Sequence, residues 1–300
     1  MAKTSNKIHR GFGSVLADIL IYGLLGLLAL IMIYPFYNLI LTSISSYEEL
    51  VRPGLRLWPQ QVDWTNYQII FSDGALLRSF RNTIIVTLCG TMLSMIVTTS
   101  AGYAFSKKWV PGRNGLLTLF IITMYFGGGL VPWYLVMCDL GFKDNFLVMF
   151  VPGALSTWNM ILMKNYFNTI PESLEESARI DGANDLRIMV QIVLPVAAPI
   201  LATISLFYAV GFWNEWYNAM IFISTKSLEP LQLLLRRLVI ESTMDLGSEM
   251  ANQFRNQNKQ IHSRGMQMAS VTVATVPILL VYPFVQKHFA KGIMMGAVKG

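Results

Sequence analysis

Long apolar stretches are the feature that most constrains the fold of this 300-residue chain. Each has a length near or above the roughly 20 residues that a helix needs to cross the hydrocarbon core of a bilayer. The stretches cover 19–41, 80–105, 116–137, 146–167, 192–223 and 268–284. Because lipid offers the backbone no hydrogen-bonding partners, a spanning segment of this kind has to be helical. The pattern therefore predicts an all-α polytopic membrane protein with six transmembrane helices.

The polar segments set the predicted domain organisation. Residues 1–16 are predicted to be a cytoplasmic N-terminal segment, 17–290 the six-helix transmembrane domain, and 291–300 a cytoplasmic tail. Two longer loops, 43–79 and 224–267, are expected to be external. Basic residues divide almost evenly between the two predicted faces, so the overall charge does not orient the chain. The short loop before the third stretch carries three basic residues, which favours a cytoplasmic position for that loop and for both termini.

Composition excludes several classes of function. The chain is 54% hydrophobic and 13% charged, which leaves room for one membrane domain and little else. It contains no Gly-x4-Gly-Lys-Ser/Thr loop, so it has no evident means of binding ATP phosphates. The net charge of +6 is spread along the chain, which suits contact with lipid headgroups and not nucleic-acid binding. The histidines and cysteines lack the spacing of metal ligands, and no catalytic constellation is visible, so neither a metal site nor a catalytic site is predicted.

A charged interval separates the fourth and fifth apolar stretches. It runs from Pro171 to Pro199 and begins with a proline, which suits the first turn of a helix. Thr169 and Glu172 have the spacing of a capping box. The sequence therefore predicts a short polar helix at this point.

A second short helix is predicted directly after the first. Asp181-Gly182 has the composition of a turn, because glycine supplies backbone freedom there. Asp181 is expected to cap a helix that begins at Ala183. The interval is thus interpreted as two surface helices at an angle, held between two membrane helices.

Residues in this interval fall at the spacing of the EAA motif, which is Glu-Ala-Ala, three residues, Gly, nine residues and Ile-x-Leu-Pro. The matching positions are Glu176, Ala178, Gly182, Ile192, Leu194 and Pro195. Ser177 replaces the first alanine, a change between two small residues. The chain therefore resembles the permease subunits of bacterial ABC importers. The run 180–183, Ile-Asp-Gly-Ala, and the tail from Lys291 are most similar to the carbohydrate-uptake branch, the maltose-type second permease and its relatives.

The resemblance implies a type I ABC importer permease fold, in which 171–190 is the coupling segment that docks on a cytoplasmic ATPase. An ordinary amphipathic loop helix is the alternative interpretation of this segment. The residues expected to take part in ATPase coupling are Glu175, Glu176, Ala178, Asp181, Gly182, Ala183, Arg187 and Pro195.

The same resemblance implies a set of partners. They are a second, homologous permease subunit that completes a heterodimer, two cytoplasmic ATPase subunits that carry ATP and Mg, and an external solute-binding protein. No cofactor is expected on this chain itself. The expected location is the bacterial inner membrane, with surrounding lipid, a carbohydrate substrate and no nucleic-acid partner.

Polar residues inside two apolar stretches are candidates for the substrate path. Trp158 and Asn159 lie in the fourth stretch, and Asn214 and Glu215 in the fifth. On a continuous helix, Asn214 and Glu215 occupy one arc of 213–218 and its aromatic residues the opposite arc. A carboxylate in a span is costly unless it faces a partner or water. Either a substrate contact or an anchor between subunits would meet that requirement, and the anchor is favoured.

Two further patterns concern helix packing. A stripe of small and hydroxyl-bearing residues follows the second stretch at three- or four-residue steps and is interpreted as a close packing surface, in preference to a transport path. Its members are Thr83, Thr87, Thr91, Ser94, Thr98 and Gly102. In the third stretch, the triplet Gly127–Gly129 predicts a break in the helix.

The sequence thus predicts a non-catalytic permease subunit of an ATP-driven importer for a carbohydrate, in particular an oligosaccharide. An ABC permease for another solute class is the main alternative. An ion-coupled secondary transporter would need repeat symmetry and ionisable residues near the bilayer midplane, and neither is evident. A membrane enzyme would need a clustered catalytic constellation.

Overall fold

The structure is a computed structural model, which describes residues 12–46, 49–50, 57–72, 74–243, 265–277 and 279. Within these residues the regular structure is helical, and strand pairing is limited to one isolated antiparallel bridge between Ser45 and Val62. The all-α prediction is confirmed for this part of the chain. The chain divides into two compact units, which comprise residues 1–68 with 247–272 and residues 69–246 with 273–300.

The first unit is built around the long helix α1 (Phe12–Ser43). Its apolar side chains are almost all exposed between residues 16 and 40, as expected for a helix whose surroundings are lipid. At the C-terminal end of α1, the Ser43 hydroxyl lies 2.8 Å from the Tyr67 hydroxyl, and the Asn66 amide donates to the Ser43 carbonyl at 3.3 Å. A Cβ on Gly265, at the start of the helix over 265–277, would lie 2.8 Å from the Asn66 amide nitrogen, so this contact requires glycine.

The remaining helices belong mainly to the second unit. They are α2 (Thr65–Ser72), α3 (Ala75–Ser106), α4 (Arg113–Tyr125), α5 (Leu130–Asp139), α6 (Thr157–Phe167), α7 (Glu172–Ile180), α8 (Asp185–Ile188), α9 (Ala198–Trp213), α10 (Tyr217–Phe222) and α11 (Leu231–Thr243). A π-helical turn (Met189–Val193) and a short helix (Leu194–Val196) continue α8 towards α9. Single 3-10 turns cover Phe146–Met149 and Lys226–Leu228.

Helix α3 is the centre of the second unit and packs against α6 and α9. Its backbone approaches both neighbours closely, because a Cβ on Gly90 would lie 2.9 Å from side-chain atoms of Phe150 and Phe212. A Cβ on Gly102 would lie 3.0 Å from the side chain of Met163. The predicted stripe of small residues therefore forms a close packing surface, as interpreted from the sequence.

Hydroxyl groups along this surface serve two different purposes. Those of Thr87, Thr91 and Ser94 are buried without a hydrogen-bond partner among the described residues, so small volume explains their placement better than bonding does. At Thr98, by contrast, the hydroxyl lies 2.6 Å from the Tyr208 hydroxyl on α9. Tyr208 also accepts from the backbone N–H of Ser156, at the start of α6, at 3.0 Å. One phenol thus joins three helices at their buried crossing.

The length and hydropathy of the helices establish fewer spans than the sequence predicts. Among the described residues, 2 helices are long and apolar enough to cross a membrane, Leu16–Ser43 and Ala75–Ser106, or up to 4 if each of two bent pairs counts as one span. The third stretch breaks as predicted at its glycines, where α4 and α5 are bent by 117° and Gly129 has φ 84°. The count of six therefore remains a prediction.

The fourth and fifth stretches differ from the continuous helices expected over 146–167 and 192–223. In the fourth, Pro152 and Gly153 lie in a non-helical segment, and the regular helix begins only at Thr157. In the fifth, α9 begins at Ala198 and is bent by 87° from the helical segment before it. Pro199 at the start of α9 has no N–H to continue the preceding helix. Of the sixth stretch, residues 268–277 lie in the helix over 265–277, as predicted, and 278 and 280–284 lie outside the described residues.

On the side of the unit where α5 and α10 end, Asp144 links two loops. Its carboxylate accepts from the Thr225 hydroxyl at 2.6 Å and from the backbone N–H groups of Ser224 and Thr225 at 2.9 Å each. The hydrogen bond from the Thr225 hydroxyl, together with those from the two N–H groups, lowers the pKa of the Asp144 carboxyl. The carboxylate is therefore held in its charged, bonded form, and it fixes the loop after α5 to the loop after α10.

We predict that Gly90→Ala destabilises the chain by about 1–3 kcal/mol, because the added methyl group overpacks the contact of α3 with Phe150 and Phe212. Gly211→Ala is the matched control, since a Cβ on this helical glycine meets nothing within 4 Å. Thermal unfolding of the purified protein in detergent measures both. Equal stability of the two variants would contradict the close approach of these helices.

Candidate functional site

The charged interval after α6 folds as two short helices, as the sequence predicts. The first, α7, begins after Pro171, whose φ of −58° and ψ of 128° place it at the N-cap. The expected capping box is absent, because the Thr169 hydroxyl donates back to the Tyr166 carbonyl at 2.7 Å. Glu172 and Glu175 lie in the first turn of α7, where negative charge is favoured by the helix dipole.

The turn between the two helices has the geometry of a Schellman motif. Gly182 has φ 82°, a left-handed conformation that side chains other than glycine rarely adopt. Its N–H donates to the Arg179 carbonyl at 3.0 Å, and the N–H of Ala183 donates to the Ala178 carbonyl at 2.9 Å. These two bonds satisfy carbonyls at the end of α7 and fix the direction of the chain as it leaves that helix.

The second helix, α8, is capped by a residue other than the one expected. Asn184, not Asp181, is its N-cap, and the Asn184 side-chain oxygen accepts from the backbone N–H of Arg187 at 2.9 Å. The prediction for Asp181 is therefore wrong, because the Schellman turn delays the start of α8 to Asp185. An ion pair of 2.9 Å between Arg179 and Asp185 then bridges the two helices across the turn.

Two ion pairs tie α7 to the C-terminal end of α3. Both carboxylate oxygens of Glu175 accept from the ammonium group of Lys107, and the exposed fractions of the two side chains are only 13% for Lys107 and 9% for Glu175. The same ammonium group lies 4.3 Å from the ring centroid of Tyr103, a cation–π contact. The second pair, between Lys108 and Glu172 at 3.0 Å, is exposed, and its hydrogen bond lowers the pKa of the Glu172 carboxyl.

The predicted coupling residues differ in their accessibility. Most have exposed side chains or backbone, and Ala178 and Ala183 are half-buried. The exposed members are Glu176, Asp181, Gly182, Arg187 and Pro195. Glu175 is buried against Lys107, so its contact lies within the chain and it is not placed to meet a partner.

An apolar surface on the same segment was not predicted from the sequence. Ile180 is 87% exposed at the end of α7, and Leu174 and Leu186 are also exposed. The signal was present, since these are large apolar residues in an otherwise charged interval. Together with Glu176 and Asp181 they give the segment a mixed apolar and acidic surface of the kind that marks an interaction site.

The two predicted path residues on the fifth stretch are not on one helical arc. Helix α9 ends at Trp213, and residues 214–216 are not helical. The arc prediction is therefore wrong. The reason is local, because the Glu215 carboxylate accepts from the Asn218 backbone N–H at 2.8 Å and from the Asn218 amide at 3.2 Å, which starts a new helix, α10.

The other two predicted path residues lie at the start of α6. Trp158 is 58% exposed, whereas Asn159 is buried, with its backbone N–H bonded to the Ser156 cap at 3.4 Å. Within the described part of the chain, no hydrogen bond or ring contact joins this pair to Asn214 or Glu215. The structure does not assemble the four residues into one site.

A second polar cluster, unforeseen from the sequence, lies where α9 ends. The guanidinium of Arg236 on α11 stacks over the Trp216 ring at 4.0 Å from its centroid. The amide of Gln232, one turn earlier on α11, donates to the Asn214 side chain at 3.4 Å. We refer to these four residues, Asn214, Trp216, Gln232 and Arg236, as the α9–α11 cluster.

Helix α11 is held in place for this cluster by buried contacts to α3. The Thr83 hydroxyl accepts from the backbone N–H of Leu231 at 2.8 Å. The Asn82 amide donates to the carbonyls of Ser227 at 2.8 Å and Glu229 at 3.1 Å. These bonds satisfy backbone groups at the start of α11, so the position of its side chains is set by the core helix.

Comparison with known proteins gives one consistent result. The family described as "Binding-protein-dependent transport system inner membrane component" matches residues 14–295. The chain is 42% identical over 287 residues to the polygalacturonan/rhamnogalacturonan transport system permease protein YtcP of Bacillus subtilis (strain 168), covering 95% of this chain and 99% of that protein. It is 39% identical over 276 residues to protein LplC of the same organism, covering 92% of each.

A solved structure is also similar. It is described as a bacterial ABC transporter involved in the import of the acidic polysaccharide alginate. The match has a TM-score of 0.86 and 33% sequence identity, and it covers 93% of this chain and 98% of the other.

We predict that Lys107→Met lowers the stability of the folded chain by about 3–5 kcal/mol, because the Glu175 carboxylate is left buried without its partner. Lys108→Met, which breaks the exposed pair, is the matched control and is expected to have little effect on stability, because solvent screens that pair. Chemical denaturation in detergent compares the variants, and hydrogen exchange of the α7 amides locates the change. If the two substitutions have the same effect, the Lys107–Glu175 pair does not anchor α7.

Proposed function

The chain belongs to the family of binding-protein-dependent transport system inner membrane components, and on that premise we propose that it is a permease subunit of an ATP-driven importer for an oligosaccharide. The proposal is supported above all by the EAA spacing and the folded two-helix segment that carries it. Members of this family are non-catalytic, and ATP hydrolysis belongs to a separate subunit. A carbohydrate substrate is favoured over other solutes by the similarity to permeases named for polygalacturonan/rhamnogalacturonan and to an importer of the acidic polysaccharide alginate.

The coupling segment is the proposed docking site for the ATPase. Its exposed apolar side chains, with Ile180 at 87% exposure, would lose contact with water in an interface. Glu176 is exposed on α7 and is available to pair with a basic residue of the ATPase. Gly182 sets the angle between the two helices through its left-handed backbone. Asp181 lies at the end of α7, directly before Gly182, and Arg187 lies on α8.

Motion of the docked segment has two routes into the membrane helices. One is covalent, through the π-helical turn and Pro195 into α9. The other is the buried pair between Glu175 and Lys107, which reaches the end of α3. Because α3 and α9 are packed together along the glycine-containing surface, both routes act on one body. Such a lever would exchange external for cytoplasmic access between two discrete positions.

The assembly we propose follows from the family. A second, homologous permease would complete the translocation path, two ATPases would carry ATP and Mg, and a solute-binding protein would deliver the sugar from outside. The exposed apolar side chains of α4 and α5 are surfaces for lipid or for the second permease. We further propose six spans with both termini cytoplasmic, in which α6 and its preceding turn form the fourth. In that arrangement Asn214 and Glu215 lie at the outer end of α9, where Glu215 anchors the start of α10 through its bonds to Asn218.

We predict that Gly182→Asp abolishes sugar uptake while membrane insertion is preserved. A Cβ on Gly182 meets nothing within 4 Å, and aspartate adopts left-handed conformations more readily than most residues, so the substitution strains the backbone locally but is expected to leave the helices and membrane insertion intact. The loss would then come from a charge and added bulk in the interface with the ATPase. Binding-protein-stimulated ATP hydrolysis and uptake in proteoliposomes measure the coupling.

Gly112→Asp is the control for this experiment. Gly112 also has a left-handed backbone, with φ 70°, and a Cβ there meets nothing within 4 Å, but it lies outside the coupling segment. Normal uptake is expected for this variant. Normal uptake by the Gly182 variant would overturn the docking proposal.

A further inference from the structure

The α9–α11 cluster lies at the end of α9 opposite to the coupling segment. Helix α9 has 16 residues and so is about 24 Å long, which separates the two sites by nearly the thickness of a hydrocarbon core. With the coupling segment on the cytoplasmic side, as the proposed function requires, the cluster faces the side from which substrate arrives.

The charge of the cluster is not balanced within the described part of the chain. Arg236 forms no ion pair with any described carboxylate. Its neighbour Arg237, by contrast, is paired with Glu229. The Glu215 carboxylate, which lies between Asn214 and Trp216 in sequence, is bonded to Asn218. The guanidinium of Arg236 therefore has no acidic partner among the described residues.

The geometry of Arg236 suits recognition of a carboxylate. Stacking on the Trp216 ring orients the planar guanidinium, and its Nη1 donates to the sulfur of Met220 at 2.7 Å. A stacked guanidinium presents its remaining N–H groups along its edge, in the fork arrangement that binds a carboxylate through two bonds. Holding the side chain in place before binding reduces the entropy lost when the ligand binds.

The amide side chains beside Arg236 add groups that bind hydroxyls. Asn214 and Gln232 contact each other at 3.4 Å, and both are exposed or half-buried. Each amide carries donors and an acceptor, which suits the hydroxyl groups of a sugar ring. Four groups thus lie together on one surface: the Arg236 guanidinium, the Trp216 ring and the side-chain amides of Asn214 and Gln232.

We propose that the α9–α11 cluster is a subsite for a carboxylate-bearing sugar, a uronate residue of an acidic oligosaccharide, with Arg236 as the residue that binds the carboxylate. This inference rests on the proposed function and specifies its substrate class. Trp216 acts as a positioning residue for Arg236, and Asn214 and Gln232 bind ring hydroxyls. The site selects for negative charge as the oligosaccharide enters.

The test uses the complete importer, with its second permease, ATPases and binding protein, in proteoliposomes. The probes are trigalacturonate and its fully methyl-esterified form, which has the same rings without the charge. Arg236→Gln is expected to lower uptake of trigalacturonate about tenfold more than uptake of the ester, since only the acid loses a charge-assisted contact. Lys226→Gln, which removes an exposed cation outside the cluster, is expected to leave the ratio of the two rates unchanged.

The results distinguish a failure of the subsite proposal from a failure of the proposed function. Equal losses for both probes in Arg236→Gln would make the contact with Trp216 purely structural and overturn the subsite. An intact importer that carries the ester or another neutral oligosaccharide, but not the acid, would overturn the acidic substrate class and leave the proposed function standing. Failure to carry any carbohydrate would overturn the proposed function itself.

Discussion

The buried ion pair between Lys107 and Glu175 is the interaction on which the arrangement of the coupling segment depends. Removing two charges from water is costly, so a pair of this kind persists only with close geometry and further contacts. Here both carboxylate oxygens accept from one ammonium group, and the Tyr103 ring lies 4.3 Å beneath it. Because breaking one partner would leave the other charge buried, the pair favours one position of α7 relative to α3 and disfavours intermediate ones.

In the proposed mechanism, the position of α7 would affect the membrane helices only if α3 moves together with its neighbours. The close packing of α3 with α6 and α9 provides this, since Gly90 and Gly102 leave no room for a Cβ. The Tyr208 hydroxyl adds directional bonds, joining Thr98 and the backbone at Ser156. Close packing resists gradual deformation, so in the proposed mechanism a displacement of α7 would be passed on as movement of the three helices together.

Those parts of the segment whose conformation depends on neighbouring residues were predicted correctly from the sequence, with one exception. The spacing of the EAA motif located the turn, and glycine is favoured at residue 182 because the backbone there is left-handed. The break at the glycine triplet followed from the same reasoning. Asp181 was assigned as a cap in error, because the sequence does not reveal that a Schellman turn uses two more residues before Asn184 can cap α8.

Signals that depend on distant residues could not be found in this way. The partner of Glu175 is 68 positions away in the sequence, so a glutamate in a charged interval was expected to face solvent or another subunit. The broken helix at 214–216 was missed for a different, local reason. The Glu215 side chain competes with the helix by accepting bonds from Asn218, and a pattern of polar and aromatic residues does not distinguish that capping role from a continuous helix.

The two links of α7 to the membrane helices differ in stiffness, and this difference suggests how force is divided between them. The covalent link passes through a π-helical turn and a bend of 87°, and π-helical turns are rare features that frequently lie at functional sites. The link to α3 is short, since Lys107 directly follows that helix and its ammonium group bonds both oxygens of Glu175. A turn that can adjust its geometry absorbs part of a displacement, whereas a bidentate buried pair transmits it or breaks. We therefore infer that, in the proposed lever, the end of α3 is the stiffer connection, and α9 would follow because its buried surface packs against α3.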